Sequence, residues 1–160
     1  MDIFEYAMQM EKDGEEFYRR LAQQATNKGL KTILTMLADD EVKHYNAIKA
    51  MQTEKPDMPE TTILSGAKNV FVQIKDSGEG FDLDVKQIDL YKKAQGIEQK
   101  SRDFYLQKAD ETTDKAQKDI FLKLADEEKR HYFLLDNIIE LVSRPERWLE
   151  NAEFYHLEEY

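Results

Sequence analysis

A chain of 160 residues is long enough to bury one core and short for two, and six glycines, three prolines and a hydrophobic fraction of 41% fit a globular helical domain. The formal net charge of -10 at pH 7 argues against nucleic acid or an anionic membrane as a partner, because both need clustered Lys and Arg. The absence of cysteine excludes disulfides, thiol catalysis and any zinc or iron–sulfur centre held by Cys.

From Asp2 to Ala25, the positions Phe4, Ala7, Glu11, Gly14, Tyr18, Leu21 and Ala25 recur every three or four residues, which predicts a helix with one acidic member on its inner stripe. Asn27 to Gly29 form a turn signal, and so short a connection makes the next helix an antiparallel neighbour. That second helix is expected to run to about Glu54, before Pro56 and Pro59, with Leu30, Leu34, Leu37, Glu41, His44, Ile48 and Met51 on one stripe. Residues 55–83 lose this periodicity and read as a long crossover. Within it Ala67, Val70, Phe71 and Ile74 have helical spacing, although Val70 to Ile74 reads equally well as a strand-like segment.

A third long helix is predicted from near Asp84, with Tyr91, Ala94, Glu98, Ser101 and Tyr105 on one stripe. Glu111 to Asp114 supply a break with N-cap candidates. The fourth helix should run from about Lys115 to Val142, carrying Gln117, Phe121, Leu124, Glu128, His131, Leu135, Ile138 and Val142 inward. Ser143, Arg144 and Pro145 mark its stop, and Trp148, Leu149, Ala152 and Tyr155 predict a short amphipathic tail helix that packs on the bundle or on a second subunit. No run approaches the roughly 18 apolar residues of a membrane span, and the acidic start lacks the positive region of a signal peptide, so a cytoplasmic protein is expected.

The two halves repeat at a constant offset of 87 residues without a gap. Glu11 maps to Glu98, Phe17 and Tyr18 to Phe104 and Tyr105, Ile33 to Ile120, and Leu37, Ala38 and Asp39 to Leu124, Ala125 and Asp126. Glu41 maps to Glu128, and His44 and Tyr45 to His131 and Tyr132. A duplicated helical hairpin explains this register. The expected fold is therefore all-α: an antiparallel four-helix bundle over residues 1–142, made of hairpins at about 2–54 and 84–142, followed by the tail helix at 143–160.

Six polar residues interrupt otherwise apolar stripes: Glu11, Glu41, His44, Glu98, Glu128 and His131. An unpaired carboxylate in a dry core costs several kcal/mol, so something must compensate it. Glu-x-x-His occurs twice, at 41–44 and 128–131, and places both side chains on one helix face a turn apart, where they can grip one ion. With a Glu from each remaining helix, the set has the pattern of di-iron and di-manganese carboxylate bundles. Four carboxylates balance two divalent ions, and ligands of this kind suit iron or manganese, with zinc as a further option.

Around the six, Asp40 and Glu127 each precede a ligand Glu and are expected to accept Nδ1–H from the opposite histidine, Asp40 from His131 and Glu127 from His44. Tyr18 and Tyr105 lie two turns from Glu11 and Glu98 on the same stripes, so their hydroxyls can donate to a ligand carboxylate. Gly14 and Ser101 sit one turn beyond those carboxylates, where small residues mean either an open side of the metals or close helix packing. Glu15, Glu16, Asp39 and Asp126 read as surface or rim, Tyr45 and Tyr132 as core-rim packing, and His156 as an exposed histidine.

Through MEKDGEEFY, DDEVKH, IEQKSRDFY and DEEKRH, residues 2–142 resemble the ferritin-like superfamily and, within it, the rubrerythrin family most closely. The resemblance implies two iron ions, with Glu11 and Glu98 as terminal ligands, Glu41 and Glu128 bridging, and His44 and His131 completing one iron each. It implies a di-iron oxidoreductase reacting with hydrogen peroxide or dioxygen. The Cys-ligated rubredoxin domain of full-length rubrerythrins has no counterpart here, so an external electron donor such as a rubredoxin-like protein is expected. Ser101 stands where rubrerythrins carry an additional Glu that shifts with redox state, which leaves as the alternative an iron-binding, ferroxidase or metal-handling protein without efficient peroxidase turnover. The aromatic tail is consistent with a homodimer.

Overall fold

A computed structural model describes residues 2–53, 61–77 and 87–144. Among them are five helices and no strand: α1 (Ile3–Gln24), α2 (Lys28–Met51), α3 (Ile63–Ser77), α4 (Gln87–Glu111) and α5 (Lys115–Ser143). Asp2, Asn27 and Asp114 precede α1, α2 and α5 in extended conformation, and their side chains accept from the backbone N–H of Glu5, Leu30 and Gln117. Each cap thereby satisfies a donor that the first helical turn leaves unpaired. The expected helix start near Asp84, the tail helix from Trp148 to Tyr155 and His156 lie outside the described residues.

α1 packs along α2 and α4 along α5, while α2 meets α5 and α1 meets α4, which closes the two hairpins into one bundle. The fold is the ferritin-like four-helix bundle expected from the repeat. The ambiguous stretch within the crossover is helical. α3 lies across α2 and α5, and its Ile63, Leu64, Ala67, Phe71 and Ile74 are buried there. Those positions recur at helical spacing, so one apolar face seals against the bundle where a strand would have split them between two sides.

The apolar interior forms two layers. One joins Leu30, Leu34 and Leu37 of α2 to Tyr91 and Ala94 of α4, Leu134, Leu135 and Ile138 of α5, and the inner face of α3. The other joins Ala7 of α1, Ile48 and Met51 of α2, Tyr105 of α4, and Ile120, Phe121 and Leu124 of α5. Along each of the four long helices, the polar residues Glu11, Glu41 with His44, Glu98, and Glu128 with His131 fall between members of one layer and members of the other. Glu16, Asp39 and Asp126 are exposed and Glu15 is half-buried. Tyr45 is half-buried, while Tyr132 is exposed. Among the described residues, no helix is long and apolar enough to cross a membrane.

Candidate metal centre

None of the six intruding side chains is more than 4% exposed, so bulk water solvates none of them and they must satisfy one another or a bound species. The structure brings all six together. His44 Nδ1 lies 2.9 Å from Glu128 Oε1 and 3.3 Å from Glu11 Oε2. His131 Nδ1 lies 3.2 Å from Glu41 Oε1 and 3.3 Å from Glu98 Oε1. The two imidazoles stack with centroids 5.4 Å apart and planes inclined by 16°. Two groups of four follow, in each of which one ligand-capable atom per residue lies within 4.8 Å of the others: Glu11, Glu41, His44 and Glu128, and Glu41, Glu98, Glu128 and His131. Glu41 and Glu128 belong to both.

Each histidine is held from behind. His44 Nε2 lies 2.8 Å from Glu127 Oε1, and His131 Nε2 lies 3.0 Å from Asp40 Oδ2. The partners are those expected, but the ring nitrogen differs: Nε2, not Nδ1, meets the outer carboxylate, and Nδ1 turns to the centre. Nε2 is at the tip of the ring, and the outer carboxylate sits on the neighbouring helix, so it is the tip that spans the gap between α2 and α5. Because position 40 pairs with 131 and 44 with 127, these two helices run antiparallel.

The tyrosines cross between hairpins. Tyr18 of α1 donates to Glu98 Oε1 of α4, and Tyr105 of α4 donates to Glu11 Oε1 of α1. Glu98 and Glu11 are thus each fixed by a hydroxyl from the opposite half. Burial, reinforced by the charges of Glu98 and Glu11, pushes both phenols well above their usual range and keeps these donors protonated.

Ionisation divides the carboxylates into two classes. Burial and the neighbouring charges of Glu11 and Glu98, with that of Glu128 acting on Glu41 as well, push Glu41 and Glu128 well above the ordinary range. Burial also opposes ionisation of Glu11 and Glu98, yet His44 and His131 beside them hold both below it. The histidines respond in kind: burial would lower them, but the surrounding carboxylates, led by Glu11 for His44 and Glu98 for His131, raise both strongly. Protons thus take the place that cations would occupy. Asp40 is held at about 2: burial opposes its ionisation, but His131 and Thr61 hydrogen-bond its charged form.

Five buried atoms make no well-aligned hydrogen bond among the described residues, although Glu11 Oε2, Glu41 Oε1 and Glu128 Oε1 lie within 3.3 Å of a histidine Nδ1: Glu11 Oε2, Glu41 Oε1, His44 Nδ1, Glu98 Oε2 and Glu128 Oε1. Such orphans are rare in a packed interior, and here all belong to the same cluster, so the donor set fits bound metal and lacks the sulfur that a softer metal prefers. Gly14 serves this cluster sterically. A Cβ at its position would stand 2.8 Å from Glu41 Oε2, so the glycine admits a carboxylate against the α1 backbone and leaves no open space there. Ser101, its counterpart, is buried.

One contributor was not legible in the sequence. Thr61 Oγ1 donates to Asp40 Oδ2 at 2.6 Å and accepts from the backbone N–H of Ile63 at 3.1 Å, tying the start of α3 to the carboxylate behind His131. A threonine two residues ahead of an apolar helical run is a recognisable helix-start signal, but nothing in the pattern links it to Asp40. No curated protein and no solved structure gives a significant match to this chain. The profile of the rubrerythrin family matches residues 2–139, across both hairpins and all six clustered side chains, and the chain belongs to that family.

Proposed function

We propose that this protein is a di-iron carboxylate oxidoreductase whose substrate is hydrogen peroxide or dioxygen. Glu11 and Glu98 would each hold one ion, Glu41 and Glu128 would be shared between two, and His44 and His131 would each complete one set through Nδ1. The observation that carries this reading is the overlap of the two four-residue groups in Glu41 and Glu128, which is what a pair of adjacent ions requires and a single ion does not. Bound there, two ferrous ions would supply two electrons together to an oxygen species.

The protein's own part is positional. Glu127 and Asp40 accept from the Nε2 side of the histidines and so turn Nδ1 toward the centre, where a cation would displace its proton. Tyr105 and Tyr18 steady Glu11 and Glu98. The apolar layers on both sides keep bulk water from the centre, which strengthens every charge interaction within it. A rubredoxin-like protein, whose Cys-ligated iron suits one-electron transfer, would return the electrons.

The position of Ser101 favours a second reading, an iron-handling or ferroxidase protein without efficient peroxide turnover. A serine hydroxyl is a much poorer ligand than the additional carboxylate that rubrerythrins carry there. Anaerobic iron loading followed by peroxide distinguishes the two. Rapid oxidation of two irons per chain, repeated for many cycles with a reductant, is the expected result. Oxidation no faster than that of free ferrous ion overturns the proposal, and one rapid cycle followed by iron release favours the second reading.

A further inference from the structure

We propose that small anions reach the metal centre through the cleft between α4 and α5, and that Arg102 and Lys129 at its mouth select them. The proposal rests on the metal-binding reading above. A cavity of about 400 Å³ opens between these helices and extends from Tyr132 and Asp136 at the surface down to Glu98 and Glu128. Its size is within the range of small-molecule sites, and two residues of the central cluster, both buried, belong to its lining.

The centre is twofold in its ligands but not in its walls. On the α1 side, the Glu41 carboxylate lies so near Gly14 that a Cβ there would come within 2.8 Å of Oε2. At the equivalent place on α4, Ser101 already has a Cβ and a hydroxyl, so Glu128 cannot approach that backbone as closely. The duplicated hairpins therefore close one flank of the centre against helix backbone, while the cleft reaches it from the other.

The charges have diverged as well. At the offset of 87 residues, Arg102 corresponds to Glu15 and Lys129 to Val42. Lys12 and Lys49 stand where Gln99 and Asp136 do, so the two rims differ in where their cations sit. On the α4/α5 side Arg102 lies one turn from Glu98 and Lys129 follows Glu128 in sequence; both line the cavity, Lys129 exposed and Arg102 half-buried, so they stand on the way in to the buried pair. Glu15 on the other rim is paired with Arg19 at 2.9 Å. Asp136 accepts from Gln95 Nε2 at 2.8 Å, which fixes it to α4. Once four carboxylates are neutralised by two divalent ions, the centre no longer repels an anion, and the nearby guanidinium and ammonium attract one.

Azide is the probe, and cobalt(II) bound to the full chain supplies visible absorption that reports its arrival without any turnover. The chain has no cysteine, so a single thiol can be placed at Gln99 in the cleft or at its counterpart Lys12 and capped with a bulky maleimide. Capping Gln99→Cys should slow azide binding at least tenfold and capping Lys12→Cys should leave it unchanged. Arg102→Gln with Lys129→Gln should weaken azide affinity several-fold while two cobalt ions per chain are retained. Equal slowing from both caps, or slowing from the Lys12→Cys cap alone, overturns the route, and unchanged affinity in the double variant overturns the selection by charge. Failure of the unmodified chain to take up cobalt would overturn the metal-binding reading itself, and this proposal with it.

Discussion

The layer of Leu124 and Phe121 and the layer of Glu128 and His131 lie one turn apart on α5, and both are almost inaccessible to water. In the first, burial is favourable in itself, at roughly 2–3 kcal/mol for a large apolar side chain. In the second, burial is unfavourable until protons or cations neutralise the carboxylates. The contrast shows how a bundle divides its labour: the apolar layers supply the stability that keeps a polar layer in place, and the polar layer is available for chemistry because it does not supply that stability.

Replacing Glu41 and Glu128 with Leu together should break this contrast most completely. Metal uptake should be abolished, because each residue belongs to both ligand groups. The metal-free variant should melt higher than the metal-free parent, since it no longer buries two carboxyl groups against the charges of Glu11 and Glu98. Metal analysis and thermal melts with chelator check both, and retained stoichiometric uptake would refute the assignment.

In the parent, pH should act on the polar layer in a defined direction. Glu41, Glu128, His44 and His131 all have raised pKa values in the metal-free protein, so each brings a proton that a cation must displace. Loading two divalent ions at neutral pH should release up to about four protons, and affinity should fall as pH falls. Calorimetry in buffers of different ionisation enthalpy measures the number. Binding without proton release would contradict the protonation pattern.

The apolar layer should behave in the opposite way. Phe121→Ala removes a side chain that is 2% exposed and should cost about 3–5 kcal/mol with or without metal, leaving the stoichiometry unchanged. Denaturant unfolding of the metal-free and metal-loaded forms is the test. A loss seen only in the metal-loaded form would mean that the layers are not separable.

The bundle and its six central residues were legible because periodicity and an exact internal offset both report on which face of a helix a residue occupies. Leu37, Glu41 and His44 must share a face whatever the rest of the molecule does. What the pattern cannot report is direction within that face. Which nitrogen of His44 meets Glu127 depends on a ring rotation. That Tyr18 serves Glu98, on a helix in the other hairpin, depends on how α1 and α4 are set against each other. Thr61 was beyond reach because its partner Asp40 lies 21 residues earlier, across a crossover with no periodicity. Gln95, buried and bonded to Asp136 and to the carbonyl of Tyr132, escaped for the related reason that it lies just off the apolar stripe of α4.

Gly14 sharpens the comparison within the polar layer. A glycine in the middle of a helix normally costs about 1 kcal/mol relative to alanine, so Gly14→Ala should leave the metal-free protein equally or slightly more stable. The new methyl would nevertheless stand against Glu41 Oε2 and displace a shared carboxylate by several tenths of an ångström, so metal affinity should fall several-fold. Ser101→Ala, which keeps its Cβ, should change affinity less. Equal effects at the two positions would show that the halves are sterically equivalent after all.

The smallest effect is expected where the polar layer meets α3. Thr61→Val removes the hydroxyl that donates to Asp40 and accepts from the Ile63 N–H, while Asp40 keeps His131 and, at 3.7 Å, Lys43. One hydrogen bond to a charged group is worth about 1.5–3 kcal/mol, and the remaining partners should reduce the net loss toward the lower figure. The sign of its pH dependence follows from Asp40, whose folded value of about 2 lies below the roughly 3.9 of an unfolded aspartate. A depressed value stabilises the fold above the unfolded pKa, and that stabilisation is lost as pH falls through the folded one. The difference between parent and variant should therefore be full above about pH 4 and shrink toward pH 2 in metal-free protein. Urea unfolding at pH 7 and pH 3 makes the comparison, and a difference that stays constant on acidification would mean that Thr61 acts through α3 alone.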